Sequence, residues 1–164
     1  MIYRYEKNPT PPLFNEEKGA KAIYEAVTYV LRNDDTLKGL VKYTNKNPNI
    51  RRGYQTAGDW QTLISYYLQP ENVMTEIDDI RPGSAGIRQA PLIFQLYNRD
   101  GDLLLYDISE RIIQLLHEAD LTKEGHVHVY RCSYRGEFGA LRYENNIQAY
   151  QKTLLFMLTF RKED

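Results

Sequence analysis

Three stretches in the C-terminal half decide the fold: residues 107–119 read DISERIIQLLHEA, residues 126–135 read HVHVYRCSYR, and residues 147–161 read IQAYQKTLLFMLTFR. The first begins like a capping box and predicts an amphipathic helix. Its apolar residues recur at helical spacing: Ile108, Ile112, Leu115, Leu116 and Ala119. Apolar and polar residues alternate in the other two, which predicts strands. The C-terminal half is therefore predicted to contain one helix followed by two strands.

The N-terminal half adds a helix and two more strands. Asn15 is a suitable helix N-cap, and a helical stripe follows it. The stripe consists of Ala20, Ile23, Tyr24, Val27, Val30 and Leu31. Residues 33–35 end this helix and cap a short second helical turn, and strands are predicted over residues 61–68 and 87–97. The sequence thus predicts an α+β fold, in which an antiparallel sheet of about four strands carries two main helices on one face.

The chain of 164 residues fits a single domain over residues 15–164. Residues 1–14 contain Pro9, Pro11 and Pro12, and we expect them to form an extended arm on a neighbouring surface. Residues 42–60 and 69–86 are polar and without period, so both are predicted to be long loops. Loops of this length in a compact domain are often functional.

Composition favours an ordinary globular protein, with 42% hydrophobic and 26% charged residues. The formal net charge of −1 argues against a global attraction to nucleic acid or membrane. The one cysteine, Cys132, favours a reducing compartment, and we expect assembly in a cytoplasm. The 14 tyrosines suit half-wet interfaces, although strands also favour aromatic residues.

The best candidate for chemistry is His126, His128 and Cys132, since residues two apart on a regular strand share a face. They could begin a zinc site, but a fourth ligand is not placed, so structural roles are the preferred interpretation. Asp34-Asp35 and Asp78-Asp79 lie in turns, and residues 83–86 lack a phosphate-binding motif. We therefore predict a protein that is not an enzyme and uses no metal or cofactor.

One protein family resembles the derived pattern. A strand that ends in a polar turn (PLIFQLYNRDGD) leads into DISERIIQLLHEA, a short Asp120-Leu121-Thr122 element follows, and two long strands finish the chain. The opening helix is followed by DDTLKGLV, which is similar to an "LxxLV" segment. This order resembles the tail-terminator, or tail-completion, proteins of long-tailed bacteriophages. The arm and the two long loops depart from that family.

The resemblance implies a structural virion protein that is assembled in the host cytoplasm. It would form a ring, commonly a homohexamer, at the head-proximal end of the tail. The ring would end tail-tube polymerisation, join the tail to the head connector or stopper, and let genomic DNA pass without specific binding. The long loops would supply the partner contacts, and the residues expected there are Tyr43, Arg51, Arg52, Tyr54, Trp60, Arg81 and Arg88.

Other functions stay open from the sequence. The chain could be another neck component, either a head-side stopper or a tube subunit. Less favoured are a small metal-binding domain or enzyme centred on His126, His128 and Cys132, and a free-standing ligand-binding module of the host. The arginines of the two loops could also be scattered surface residues without a partner.

Overall fold

The computed structural model describes residues 11–53, 56–69, 72–73, 87–137 and 139–162. The described helices and strands follow in chain order: α1 (Pro11–Arg32), α2 (Asp35–Val41), β1 (Ile50–Arg52), β2 (Thr62–Leu68), β3 (Asn72–Val73), β4 (Ile87–Asn98), α3 (Leu103–Leu116), β5 (Val127–Glu137), β6 (Arg142–Glu144) and β7 (Ala149–Lys162).

The described strands form one seven-stranded sheet in the order β1-β2-β4-β7-β5, with β3 paired to β4 and β6 paired to β7. The long β4 and β7 strands make its centre, from Ile87 opposite Arg161 to Asn98 opposite Tyr150. Every pair is antiparallel except β1 and β2, which are parallel. The α+β class is therefore confirmed, but the prediction of about four strands is too low.

The main core lies between the sheet and the helices. Alternate residues of a strand face opposite sides, so Leu92, Phe94 and Leu96 of β4 all point toward the helices. They join one buried cluster with the inward stripes of α1 and α3. The helix residues of that cluster include Ile23, Val27, Leu31, Ile108, Ile112 and Leu116. This confirms that the two main helices pack on one face of the sheet.

A second, smaller cluster lies on the opposite face of the sheet. It consists of Trp60, Leu63, Tyr97 and Ala149, with Ile147 packed against it. Beside it, the amide of Gln151 donates to Gln95 Oε1 at 3.0 Å, which satisfies polar groups that the sheet buries. No helix in the described part of the chain is both long and apolar enough to cross a membrane.

Both main helices begin earlier than the sequence predicts. Helix α1 begins at Pro11, so residues 11–14 are not extended and Asn15 is not an N-cap. Proline is tolerated in a first helical turn because the N–H it lacks has no partner there anyway. Helix α3 begins at Leu103, after Asp102 in the N-cap position, so Asp107 lies inside the helix. Residues 1–10 of the predicted arm lie outside the described residues.

Three short strands of the described part were not predicted. The predicted loop 42–60 contains β1, whose Ile50 is fully buried, and three residues are too few to display a strand period. Strand β6 is equally short and pairs with the start of β7. In the predicted loop 69–86, residues 72 and 73 form β3. Residues 70–71 and 74–86 of that loop lie outside the described part.

Candidate interaction surfaces

The predicted histidine and cysteine group does not form a shared face on β5. The pairing of β5 with β7 shifts register between Val129 and Arg131, which marks a β-bulge. Val127 and Val129 before the bulge are buried, and Cys132 after it is buried as well. His128 lies between the two valines and therefore points to the other face, away from Cys132. The bulge explains why strand spacing alone gave the wrong grouping.

The environment of Cys132 suits packing and not nucleophilic chemistry. Burial, together with the nearby Glu118 carboxylate, raises the pKa of the Cys132 thiol to about 12. A thiol with such a high pKa is almost entirely protonated at neutral pH, whereas the thiolate is the reactive form. Within the described ranges, no three side chains of the types that bind metal come close enough to hold an ion.

Two arginines bind the backbone around β1. Arg51 Nε donates to the Pro48 carbonyl at 2.6 Å, and its NH1 donates to the Ala57 carbonyl at 2.6 Å. Arg32 of α1 donates from Nε and NH2 to the Ile50 carbonyl, at 3.1 and 2.6 Å. Arg51 is therefore engaged in shaping its own loop. Its role as a partner contact stays a prediction.

Arg32 and Arg52 also lie over tyrosine rings. The Arg32 guanidinium is 5.4 Å from the centre of the Tyr43 ring, and that of Arg52 is 5.7 Å from the Tyr24 ring. Arg52 is exposed and Tyr43 is half-buried. Planar guanidinium groups over aromatic rings leave their N–H edges open to acceptors. Of the predicted contacts, Tyr43 and Arg52 are thus brought to the same side of the sheet, beside edge strand β1.

Trp60 is not at the surface. Its side chain is 1% exposed, and the indole Nε1 donates to the Thr56 carbonyl at 2.8 Å. The Arg99 guanidinium lies 3.9 Å from the centre of the ring and covers it from outside. The Trp60 side chain is therefore packed within its own subunit, and its role as a partner contact stays a prediction. A polar flanking sequence concealed the fact that this residue anchors its loop on the far face of the sheet.

Of the remaining predicted contacts, the described one, Arg88, is separated from this region. Arg88 lies on β4, opposite Val73 on one side and Phe160 on the other, and is half-buried. Tyr54 and Arg81 fall outside the described residues.

The chain covers one edge of its own sheet. The segment from His117 to Lys123 follows α3 and runs beside β5. Along it, the Cys132 carbonyl accepts from the Glu118 N–H at 2.7 Å, and the Tyr134 N–H donates to His117 Nδ1 at 3.0 Å. Lys123 also exchanges two backbone hydrogen bonds of 2.9 Å with Val127. A covered edge is not available to pair with a strand of another chain.

A groove lies at the end of the sheet where β4 turns into α3. Its volume is about 390 Å³, and its lining combines three leucines with several polar residues. The lining residues are Leu40, Val41, Lys42, Gln61, Thr62, Asn98, Asp100, Gly101, Asp102, Leu103 and Leu104. Leu103 is 76% exposed, more than the other exposed large apolar residues of the described part. The groove was not predicted from the sequence, although Leu103 and Leu104 directly after a polar turn were a visible signal.

Comparisons with known proteins show a similarity of fold to a solved structure. No protein-family model matches this chain, and the search of curated proteins gives no match. Among solved structures, the chain is similar to a chain from the structure titled "Virion of native gene transfer agent (GTA) particle". The TM-score is 0.65 at 18% sequence identity, and the match covers 87% of this chain and 97% of that chain. At this identity the match shows a shared fold over nearly the whole of both chains.

Proposed function

We propose that this chain is a structural virion protein that forms a ring at the head-proximal end of a phage-type tail. The observation that carries the proposal is the fold shared with a gene transfer agent virion chain over 97% of that chain's length. A match over most of both chains is more specific than the reuse of a common substructure. The order of elements in the second half of the sequence, which resembles tail terminators, supports the same assignment.

In this role the ring ends tail-tube polymerisation and presents a surface to the head connector or stopper. Its partners are other copies of the chain, most simply six, together with the tail-tube protein and the connector. Head-to-tail contacts close a ring when the rotation between subunits fits a whole number of copies. Genomic DNA passes through the lumen without specific binding, and the protein resides in the virion neck after assembly in the host cytoplasm.

The side-chain environments also support a non-enzymatic role. The candidate nucleophile, Cys132, is buried with a raised thiol pKa, and the β5 bulge separates it from His128.

The test is an assembly assay with purified protein and polymerising tail-tube protein. We expect rings with a DNA-sized hole by electron microscopy, a concentration-dependent oligomer in sedimentation, and rings at one end of shortened tubes. A head-side stopper would instead bind the connector and leave tube length unchanged, and a tube subunit would polymerise into tubes by itself. A monomer at all concentrations with no affinity for tube ends would exclude the proposal.

A further inference from the structure

The groove beside Leu103 has the properties of a docking site for an extended segment. Leu103 stands at its rim with 76% of its surface exposed, although a leucine side chain is stabilised by burial. Leu40 and Leu104 contribute further apolar surface to the lining. Asp102 is at the N-cap of α3, yet its side chain makes no capping hydrogen bond. Neither Asp100 nor Asp102 forms a salt bridge within the part of the chain that the structure describes.

The charges of the groove select a basic occupant. Asp100 and Asp102 contribute two carboxylates to the lining, against one ammonium group from Lys42. The first ten residues of the chain, MIYRYEKNPT, combine two basic side chains with one acidic one, and they interleave Ile2 and two tyrosines with those charges. This segment therefore offers apolar groups that can cover the leucines of the groove and cationic groups that can pair with its two carboxylates.

The position of α1 excludes the groove of the same molecule. Helix α1 runs antiparallel to β2, because the Tyr24 hydroxyl accepts from the Leu68 N–H at 2.7 Å while Arg32 reaches Ile50, which pairs with Ile64. Pro11 lies thirteen residues before Tyr24, which places it about 20 Å beyond the level of Leu68. Thr62, in the groove lining, lies about 20 Å from Leu68 in the other direction.

The distance from Pro11 to its own groove is therefore roughly 40 Å, measured along the sheet. Ten residues span at most about 33–36 Å when fully extended. None of residues 1–10 can therefore lie inside the groove of the same molecule. A neighbouring copy has no such restriction.

We infer that residues 1–10 of one subunit dock in the Leu103 groove of the next subunit. This inference rests on the proposed ring, for which it supplies a head-to-tail connection. Each subunit gives an arm at one end of its sheet and receives one at the other end. Ile2 or a neighbouring tyrosine covers Leu103, and Arg4 and Lys7 lie against Asp100 and Asp102.

The first experiment is disulfide trapping in the full-length protein. The variant Ile2→Cys/Leu103→Cys is oxidised at ring-forming concentration and run on a non-reducing gel. We expect a ladder of covalent oligomers that ends at the ring number, whereas each single variant stays at the monomer position. The native Cys132 does not interfere, because it is buried.

A matched pair controls for random collisions of the arm. Tyr29 is 70% exposed, and it lies eighteen residues along α1 from Pro11, about 27 Å, which the arm of the same molecule can reach. Ile2→Cys/Tyr29→Cys should therefore give at most intramolecular bonds. Rings that form normally but give no ladder with the Leu103 pair would overturn the inference and leave the ring intact. If the unmodified protein forms no ring at all, the proposed function fails instead.

The second experiment separates the apolar and the charged parts of the contact. Leu103→Asp should weaken ring association at least about tenfold, because the variant loses the apolar contact between Leu103 and the arm. Asp100→Lys should weaken it about twofold to fivefold, and the exchange Arg4→Asp/Asp100→Lys should restore most of the loss. Ring association that does not respond to Leu103→Asp, with circular dichroism unchanged, would contradict the inference. Binding of a foreign protein in the groove would show as unaltered rings with weaker attachment to tubes.

Discussion

Asp34 connects α2 and α3 through one carboxylate. It caps α2 by accepting from the Leu37 N–H at 2.8 Å, and it accepts from Arg111 of α3 at 2.9 Å (Nε) and 2.5 Å (NH2). The Arg111 hydrogen bond holds the pKa of this carboxyl below its usual value, with a further lowering by Leu37. We expect Asp34→Ala to lower the free energy of unfolding by about 0.5–2 kcal/mol from the lost cap alone.

The companion variant Asp34→Asn keeps a good N-cap and loses the charge, so it isolates the ion pair. A lowered carboxyl pKa contributes stability above the ordinary value near 3.9, and this contribution is lost as the pH falls through the lowered pKa. The stability gap between the unmodified protein and Asp34→Asn, measured by urea unfolding, should therefore be full at pH 7 and shrink below about pH 4. A gap of equal size at pH 7 and pH 3 would show that the charge pair contributes nothing.

Trp60 tests whether a loop residue serves folding or binding. Its ring is enclosed by Tyr97, Arg99 and its own loop. Trp60→Ala should cost about 3–5 kcal/mol in the dilute, unassembled protein, as for other buried large side chains. Trp60→Phe should cost less, because it keeps the apolar contact and loses only the indole hydrogen bond. A partner-contact residue would leave the stability of the dilute protein unchanged and reduce only assembly.

The strap of residues 117–123 protects the β5 edge at the scale of an element. The Thr122 hydroxyl accepts from the Val129 N–H at 3.0 Å and lies 3.4 Å from its carbonyl. Thr122→Val should cost about 1–2 kcal/mol and accelerate hydrogen exchange at the Val129 amide, because that N–H loses its acceptor. Thr122→Ser retains the hydroxyl and serves as the control. Equal exchange rates in the Val and Ser variants would contradict the role of the strap.

The long elements could be predicted from the sequence, whereas their starts and the short strands could not. Strands β2 and β4 and the inward stripes of α1 and α3 were predicted because their periods run over many residues. Strand β1 has only three residues. Its burial depends on a parallel pairing with β2, which no local sequence pattern predicts. The groove is made by α2, β2 and the turn before α3 together, so it exists only once distant segments have met.

The start of α3 allows a direct test of where the helix begins, because the sequence and the structure place that start at different residues. The sequence places a capping box at Asp107, but Asp107 is an exposed residue inside the helix, one turn after its true start. Asp107→Ala should therefore change the free energy of unfolding by less than about 0.5 kcal/mol. Asp34→Ala, at a position where the cap hydrogen bond is present, is the matched comparison. A larger cost at Asp107 than at Asp34 would favour the helix start that the sequence predicts.

At the scale of the whole molecule, the two ends of the sheet differ. One end carries the groove and the turn before α3, and the start of α1 lies beyond the other. A subunit with a donor at one end and an acceptor at the other associates head to tail, which is the geometry that a closed ring requires. The covered β5 edge and the Arg32 contact on β1 favour association through side chains and the arm over the addition of strands from one subunit to another.

The charge of the chain predicts how such a ring treats DNA. A net charge of −1 per subunit leaves little attraction to phosphate, and Arg32, Arg51 and Arg99 are each engaged with backbone carbonyls. We expect no retention of duplex DNA by the assembled protein in a gel-shift assay at about 0.1 M salt, because affinity of this kind scales with the number of phosphate contacts. Retention that falls steeply with added salt would show that assembly gathers basic side chains on one surface. The lumen would then bind the DNA, and the proposal that DNA passes through the ring without binding would be wrong.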